Sequence, residues 1–522
     1  MPALKKYAHV MAAGALRNFA LAAIAGVLLN FAFPNVGWWP AAIVSLALLW
    51  WVLELVPAWQ GFLLGWVFGI AFLLPQVWWA FTSVGAVPWL ALSIAEGVAF
   101  GLFGTAWAHV RRSRMLMDGR AWVQPLAFAL LWTGMEELRS MVPFGGFPWG
   151  RVAFSQVESP LGNLAWAGGA PLVTFFTVVA GGLLGLAFEA GRAHHWVVMS
   201  AAPFLAVMVI LSGIFVPIDS QASDGFLRVG VVQGNVPNLG LDSLNQARQV
   251  TKNHLASTKA LMATNPGPID LLIWPENAAD IDPRVDQETS DDVTSAALLA
   301  GAPLLLGTID YSPADGRYNT SLLWSPAGQV LDEYRKQRPA PFAEYIPIRS
   351  FARHFSSAVD RVTKDVLPGT APATMELVAP QLSQTITLGT VICFEVAYDE
   401  IVRGAVRKGA EIVIVQTNNA TFGTTPESTQ QLAMTRLRAI ELGRTTIQAS
   451  TVGVSAIVLP DGHVMQETDL FTAEQMYASV PLRSEMTPAA RLGAIVRWTM
   501  LSLALIVTMV AMRRRVANRY EW

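Results

Sequence analysis

One cysteine serves a chain of 522 residues, and it stands in the stretch "TLGTVICFEVAYDE", residues 387–400. Cys393 closes an apolar, β-like run and lies two positions before Glu395. Packing alone explains many lone cysteines, because a free thiol behaves as a small buried hydrophobe. Nucleophilic catalysis asks for more: a base to take the thiol proton, and a group to hold the charge that develops on an attacked carbonyl. The histidines of the same region, His254, His354 and His463, stand in no context that marks a papain-like partner. Carboxylates and lysine remain.

Two further segments supply them, each just after a strand-like run. In "DLLIWPENA" the run 271–274 ends at Pro275, which has no N–H for a ladder, so Glu276 is presented where a strand stops. In "YRKQRPAPFAEYIP" Lys336 precedes a proline-rich, aromatic stretch that contains Glu344. Read singly, a glutamate such as Glu276 is more often a solvated loop end, and Lys336, beside Arg335 and Arg338, more often an ordinary basic surface. The seven histidines form no ligand-spaced cluster with Cys393, so no metal is expected.

These residues belong to a chain that is 53% hydrophobic and 14% charged, with a mean hydropathy of +0.41. That composition is too apolar for a soluble protein of this size and indicates a membrane protein. A net charge of −2 leaves no basic footprint, which argues against nucleic acid as a partner. A single cysteine excludes an intramolecular disulfide, so cysteine usage does not identify the compartment.

From about residue 16 to 217, apolar stretches of about 20 residues follow one another, each long enough to cross a bilayer as a helix. Seven spans are read there, near 16–33, 38–56, 62–80, 89–110, 122–142, 161–190 and 196–216; an eighth, 494–512, precedes the tail "RRRVANRYEW". Between them, β-rich runs such as "LRVGVVQGN", "APLLLGTID" and "AEIVIVQTN" alternate with helical stretches such as "STQQLAMTRLRAIELGR", the pattern of sheets covered by helices. The expected organisation is a membrane domain over 1–218 with about seven transmembrane helices, an α/β domain over 219–488, and a final transmembrane helix with a basic tail over 489–522. Lys5 and Lys6, Arg111, Arg112 and Arg114, Arg192, and Arg513 to Arg515 all fall on one side if the α/β domain lies on the other. Both termini are then cytoplasmic and the α/β domain extracytoplasmic. "ALKK" before the first apolar run lacks a small-residue cleavage site further on, so an uncleaved first span is expected.

Taken in order, Trp-Pro-Glu, a lysine ahead of Pro-Phe-x-Glu-Tyr-x-Pro, and Ile-Cys-x-Glu resemble the Glu-Lys-Cys triad of the nitrilase superfamily. With several spans before that domain and one after it, the chain resembles the bacterial apolipoprotein N-acyltransferases over nearly its whole length. "GGFPWG" at 145–150 is similar to that family's Phe-Pro-Trp loop, "VVQGNVP" at 231–237 to the start of its catalytic domain, and "TRLRAIELGR" at 435–444 to its later helix. There are departures. Phe394 stands where the family usually has Tyr, Thr421 where it has Trp within Asn-Asp-Ala-Trp-Phe, and Leu241 near the place of another Trp. Residues 336–344 read Lys-Gln-Arg-Pro-Ala-Pro-Phe-Ala-Glu, where the family writes Lys-x-x-Leu-Val-Pro-Phe-Gly-Glu. These changes leave the triad intact and leave head-group and acyl-chain preference open.

The resemblance implies a nitrilase-like αββα sandwich beside a multi-pass α-helical membrane domain in a bacterial plasma membrane. It implies Cys393 as nucleophile, Glu276 as base, and Lys336 with the backbone N–H of Phe394 as the oxyanion site, with Glu344 and Glu395 holding them in place. The implied reaction carries a fatty acyl chain from a membrane phospholipid, through a thioester, to the α-amine of an S-diacylglyceryl cysteine at a lipoprotein N-terminus. Such double displacement is ping-pong and calls for no cofactor or metal. The stretch 341–355, mixing aromatics with arginines, suits an interfacial lid, and Trp38, Trp39, Trp78 and Trp79 suit an interfacial belt. Two other readings stay open. One is a membrane-tethered nitrilase-type amidase with water as acceptor; the other is a non-catalytic binding or transport protein, which would favour charges buried in the spans. For the latter, Glu54, Glu96, Glu136 and Glu137 are few and, Arg139 apart, without evident basic partners; Glu136, Glu137 and Arg139 would alternatively line a path for lipid near the fifth span.

Overall fold

The computed structural model describes residues 2–113, 121–236, 248–311, 316–379 and 384–517. Arg114, Pro237 and Leu241 lie outside the described residues, as do the side chains of Lys5, Lys6, Arg514 and Arg515. The chain divides into two compact units, one of Met1–Trp78, Pro88–Val216 and Leu492–Trp522, the other of Trp79–Val87 and Pro217–Arg491.

In the first unit each predicted span falls on a helix: Pro2–Asn30, Pro40–Val52, Ala58–Gln76, Ala86–Arg111, Val123–Arg139, Ala165–Arg192, Trp196–Leu211 and Pro488–Ala517. Among the described residues, five stretches are long and apolar enough to cross a bilayer, namely Ala58–Gln76, Ala86–Arg111, Pro160–Arg192, Trp196–Phe215 and Pro488–Arg513. The apolar helices Gly14–Asn30 and Pro40–Val52 are shorter. Val123–Arg139 departs from a plain span because its last turns carry Glu136, Glu137 and Arg139, all buried. Glycine sets the closest approach in this unit. A Cβ on Gly104 would stand 2.1 Å from the carbonyl oxygen of Gly61, so the helices Ala58–Gln76 and Ala86–Arg111 meet backbone to backbone.

The buried charges have partners that the sequence did not reveal. Arg139 pairs with Glu96 at 3.3 Å and donates to the carbonyls of Phe147 and Trp149 at 2.9 and 2.8 Å, which ties down the "GGFPWG" loop. Glu137 lies between Arg151 and Arg497, the latter at 2.9 Å. Glu136 accepts from Trp132 Nε1 at 3.0 Å, Val152 N at 2.9 Å and Thr174 Oγ1 at 2.9 Å, and Glu54 pairs with Arg192. Partners close in space but distant in sequence, as Glu137 and Arg497 are, leave no local signature. Glu136 and Glu137 therefore knit helices together and do not line an open path.

Among the described residues the second unit has twelve strands, numbered along the chain: β1 (Phe226–Gln233), β2 (Leu271–Ile273), β3 (Leu304–Tyr311), β4 (Arg317–Trp324), β5 (Val330–Arg335), β6 (Thr374–Val378), β7 (Thr385–Ile392), β8 (Ile412–Thr417), β9 (Thr446–Ser450), β10 (Ala456–Val458), β11 (Val464–Glu467) and β12 (Glu474–Pro481). They form two six-stranded sheets, ordered β12-β1-β2-β3-β4-β5 and β11-β10-β9-β8-β7-β6. In each, three neighbouring strands run parallel, β1-β2-β3 and β7-β8-β9, and antiparallel strands flank them. Strands covered on both faces read as nearly unbroken apolar runs, which is why "LLI" and "IVIVQT" are buried throughout. Helices Gln249–Ala263 and Gln287–Ala300 pack on the first sheet, Asp399–Arg407 and Glu427–Leu442 on the second. Between the sheets, the Gln416 side chain accepts from Ser321 Oγ and donates to the carbonyl of Trp274 at 2.6 Å, a polar tie through an otherwise apolar interior. The unit is an αββα sandwich.

Glu137→Ala leaves two buried guanidinium groups without their shared carboxylate, a loss of about 3–5 kcal/mol for a buried pair. Its thermal midpoint in detergent is expected to fall on the order of 5–10 °C. A midpoint that moved by about one degree or less would show that this carboxylate does not hold the helices together.

Candidate active site

Three loops that leave strand ends meet at one place in the sandwich. Glu276 follows β2 after Trp274-Pro275, Lys336 is the residue after β5, and Cys393 is the residue after β7. All three are buried. Lys336 Nζ lies 2.8 Å from Glu344 Oε2 and 4.0 Å from Glu276 Oε1, and the charges of both Glu276 and Lys336 act on the Cys393 thiol. The structure thus brings together Glu276, Lys336, Glu344, Cys393, Phe394 and Glu395, the residues singled out by type and order along the chain.

Glu276 is fixed by two donors, Asn319 Nδ2 at 2.6 Å to Oε1 and the backbone N–H of Asn418 at 2.7 Å to Oε2. Burial pushes its carboxyl above the ordinary range; the Lys336 ammonium pulls down and Glu344 pushes up further. A carboxylate with raised proton affinity is the better acceptor for a thiol proton at neutral pH. Burial alone would lower Lys336, but Glu344 and Glu276 hold the ammonium charged, with its affinity raised. Glu344 is held below its ordinary value despite burial, because Lys336 lies beside it and Ala340 N donates at 2.7 Å. The pair of carboxylates is therefore split: Glu344 keeps its charge to match Lys336, and Glu276 is left with affinity for a proton.

Cys393 has φ +54°, a left-handed conformation that a non-glycine residue holds only when its surroundings demand it. Glu395 supplies that demand. Its Oε2 accepts from Ile392 N at 2.8 Å, while Oε1 accepts from Gln337 N at 2.7 Å and Arg338 N at 3.1 Å. Tyr334 Oη reaches both oxygens at 3.0 Å. One carboxylate thus fastens the Cys393 turn to the loop that carries Lys336. Burial pushes the Cys393 thiol well above its ordinary value and Glu276 adds to the effect, while Lys336 and the hydrogen bond that Thr417 can give to the thiolate act in the opposite direction. The resting thiol keeps its proton until a base takes it.

Sequence reasoning missed Asn319, whose one amide nitrogen bridges Glu276 and, at 3.0 Å, Glu344. It lies mid-strand in β4, where only the pairing of distant segments reveals it. Trp79 is corrected. Expected in an interfacial belt, it is 7% exposed and packs edge-on against Phe394 and Phe422, with ring centroids 5.5 and 5.3 Å away. Trp38 and Trp78 are exposed as expected. In the stretch 341–355, Phe342, Ile348, Phe351 and Phe355 are all exposed. His254 is buried against Trp274, and burial pulls its imidazole down to about 4, which leaves it neutral and outside the site. No cluster of metal-binding side chains occurs among the described residues.

Gly307 permits the approach of β3 to Glu276: a Cβ there would stand 2.6 Å from both Glu276 Cα and Asn277 N. Gly307→Ala is expected to push Glu276 off its position and slow acylation of Cys393 by a p-nitrophenyl ester about a hundredfold. A wild-type rate of nitrophenol release would mean that the position of Glu276 is not limiting.

Comparisons with known proteins fall on both units. A family profile described as the apolipoprotein N-acyltransferase N-terminal domain matches residues 25–183, and one described as carbon-nitrogen hydrolase matches residues 228–487. A protein named apolipoprotein N-acyltransferase from Mycolicibacterium smegmatis is 37% identical over 509 residues, covering 92% of this chain and 82% of the relative. One of the same name from Azotobacter vinelandii is 28% identical over 409 residues, covering 76% and 74%. Among solved structures, a mutant amidase of the nitrilase superfamily from Nesterenkonia is 18% identical, with a TM-score of 0.38 over 53% of this chain and 95% of its own. Since one full-length relative and both profiles agree from the early helices to the last strands, the chain belongs to the apolipoprotein N-acyltransferase family.

Proposed function

We propose that this protein moves a fatty acyl chain from a membrane phospholipid to the α-amine of the S-diacylglyceryl cysteine that begins a lipoprotein, with Cys393 carrying the chain as a thioester. The observation that supports this most is the meeting of a buried thiol, a carboxylate of raised proton affinity and a charged lysine at one place in the sandwich, in a chain whose helices match the N-acyltransferase N-terminal domain. That second match favours acyl transfer to a lipoprotein over hydrolysis of a small amide. The ion pairs that use up the charges of the helical unit weigh against transport.

Glu276 takes the proton of Cys393 as sulfur attacks the ester carbonyl. The oxygen that becomes negative is held by the Lys336 ammonium and the backbone N–H of Phe394, each such donor being worth about 3–4 kcal/mol in comparable enzymes. Collapse breaks the ester C–O bond, Glu276 returns the proton to the departing lysophospholipid, and the acyl group stays on sulfur. The lipoprotein amine then attacks the thioester; Glu276 accepts an amine proton and passes it to the leaving thiolate. The amide formed is more stable than the thioester consumed, so the sequence runs without an external energy source. Both substrates are anchored in lipid, and drawing an acyl chain into water costs about 0.8 kcal/mol per CH₂. The exposed aromatics of 341–355 suit the role of meeting that surface. In this reading the α/β unit is extracytoplasmic and the termini cytoplasmic.

Incubation of the purified protein with phospholipid vesicles and a diacylated lipopeptide, followed by mass spectrometry, is expected to give the N-acyl peptide with wild type and none with Cys393→Ser. Unchanged peptide beside cleaved phospholipid or amide would replace this reading with a hydrolase.

The pH profile tests the base. Glu276 has a raised proton affinity in the fold, so it is protonated and inactive below that value. The first half-reaction is expected to rise with pH along a limb that lies above the ordinary glutamate value of about 4.3. Glu276→Gln is expected to lose that limb together with about 10²–10⁴ of the rate. An unaltered limb in Glu276→Gln would assign the base to another group.

A further inference from the structure

Behind the nucleophile, on the side of β8, lies a chain of buried polar groups that the mechanism above does not use. It starts at Glu427, the first residue of the helix Glu427–Leu442, which is fully buried. Glu427 makes no ion pair among the described residues, and the titratable groups that bear on it are Glu276 and Cys393. Its Oε2 accepts from Asn419 Nδ2 at 2.6 Å, and its Oε1 has no hydrogen-bond partner among the described residues. The same Asn419 nitrogen reaches Gln431 Oε1 at 3.0 Å, while Asn419 Oδ1 accepts from Ser450 Oγ at 2.5 Å. Gln431 Oε1 also accepts from Thr417 Oγ1 at 3.0 Å. Thr417, the last residue of β8, follows Gln416, the register partner of Ile392, so its hydroxyl stands beside Cys393 and is placed to hydrogen-bond that sulfur.

The direction of these bonds follows from the inventory of donors. Gln431 Oε1 can only accept, so Thr417 gives its single proton to Gln431 and can only accept from the resting S–H. When Glu276 removes the thiol proton, sulfur becomes an acceptor and Thr417 must turn its proton to it. Gln431 Oε1 is then left with Asn419 Nδ2 alone. The exchange is cheap only if Asn419 stays in place to satisfy that oxygen, since a bare buried acceptor is costly. Glu427 and Ser450 are what hold Asn419.

We propose that Glu427 is a positioning residue for the nucleophile, clamping Asn419 and Gln431 so that Thr417 can transfer its hydrogen bond from Gln431 to the Cys393 thiolate. The proton itself passes from sulfur to Glu276, and the Glu427 carboxyl gains and loses none. Burial pushes Glu427 up to about 8. The clamp is thus a neutral acid at neutral pH, and above that value its ionisation opposes the thiolate. This inference rests on Cys393 being the nucleophile.

Because Cys393 is the only cysteine, alkylation of the full-length protein in detergent by iodoacetamide reports this thiol alone. Wild-type reactivity is expected to climb with pH and to bend downward from that climb near pH 8, where Glu427 ionises. Glu427→Ala is expected to lower the rate at neutral pH about tenfold, as loss of a buried hydrogen-bonding link does. Glu427→Gln, which still offers Asn419 an oxygen but cannot ionise, is expected to regain most of that rate and to lose the bend. Thr417→Val is expected to match Glu427→Ala, with the double variant no slower than Thr417→Val. If Glu427→Ala folds with the wild-type melting temperature and alkylates with the wild-type rate and pH profile, Glu427 is a packing residue and the proposal fails. Should Glu427→Ala not fold, a bend near pH 8 that persists in Glu427→Gln overturns the proposal equally. Transfer activity that survives Cys393→Ser would instead remove the proposed nucleophile, an outcome separate from any of these.

Discussion

A lysine ammonium almost wholly withdrawn from water must be paid for in nearby negative charge, and the α/β unit is arranged around that demand. Lys336 follows an outer strand of one sheet, yet Glu276 arrives from the middle of the same sheet and Glu344 from the loop beyond it. Asn319 bridges the two carboxylates and so fixes their spacing. Two carboxylates around one cation cannot be equivalent. The nearer one, Glu344, is spent on neutralising Lys336, and the farther one keeps its appetite for a proton. This asymmetry supplies the proposed base and the proposed electrophilic cation beside one thiol, and the left-handed turn at Cys393, tied by Glu395 to the lysine loop, keeps all three in register.

The residues of the candidate site were legible in the sequence because they sit at strand ends, where local patterns speak. Pro275 announces the end of β2, and an apolar run announces β7, so Glu276 and Cys393 could be placed without knowing the fold. Alternation of β-rich runs with helices gave the layered class, and the apolar stretches gave the helices of the other unit. What could not be read were contacts between segments far apart in the chain. Asn319, Thr417, Asn419 and Gln431 look like ordinary strand, loop or helix residues until two sheets are stacked. Glu427 carries the common signature of an acidic residue opening a helix, which conceals that it is buried. The carboxylates near the fifth span seemed short of partners because Arg151 and Arg497 are remote in sequence.

The same distinction explains Trp79. A tryptophan near a predicted span end is normally an interfacial anchor, and only its contacts with Phe394 and Phe422 show otherwise. Those rings also give the departure at position 394 a physical setting. Phe394 is half-buried between Trp79 and Phe422, and phenylalanine fills that place without a hydroxyl that would ask for a hydrogen-bond partner. The residue that supplies the proposed oxyanion N–H is therefore braced by apolar packing, in keeping with an acyl chain as the group to be handled.

The proposed reaction turns on Cys393 holding the acyl group in a covalent bond between two separate transfers. The most direct measurement is intact-protein mass spectrometry after mixing the protein with a phospholipid of defined chains and no acceptor. A mass increase of one acyl chain, removed by neutral hydroxylamine and chased off by later addition of a diacylated lipopeptide, is the predicted result. An enzyme that N-acylates the lipopeptide while never carrying that mass would transfer the chain directly, and the central claim would be wrong.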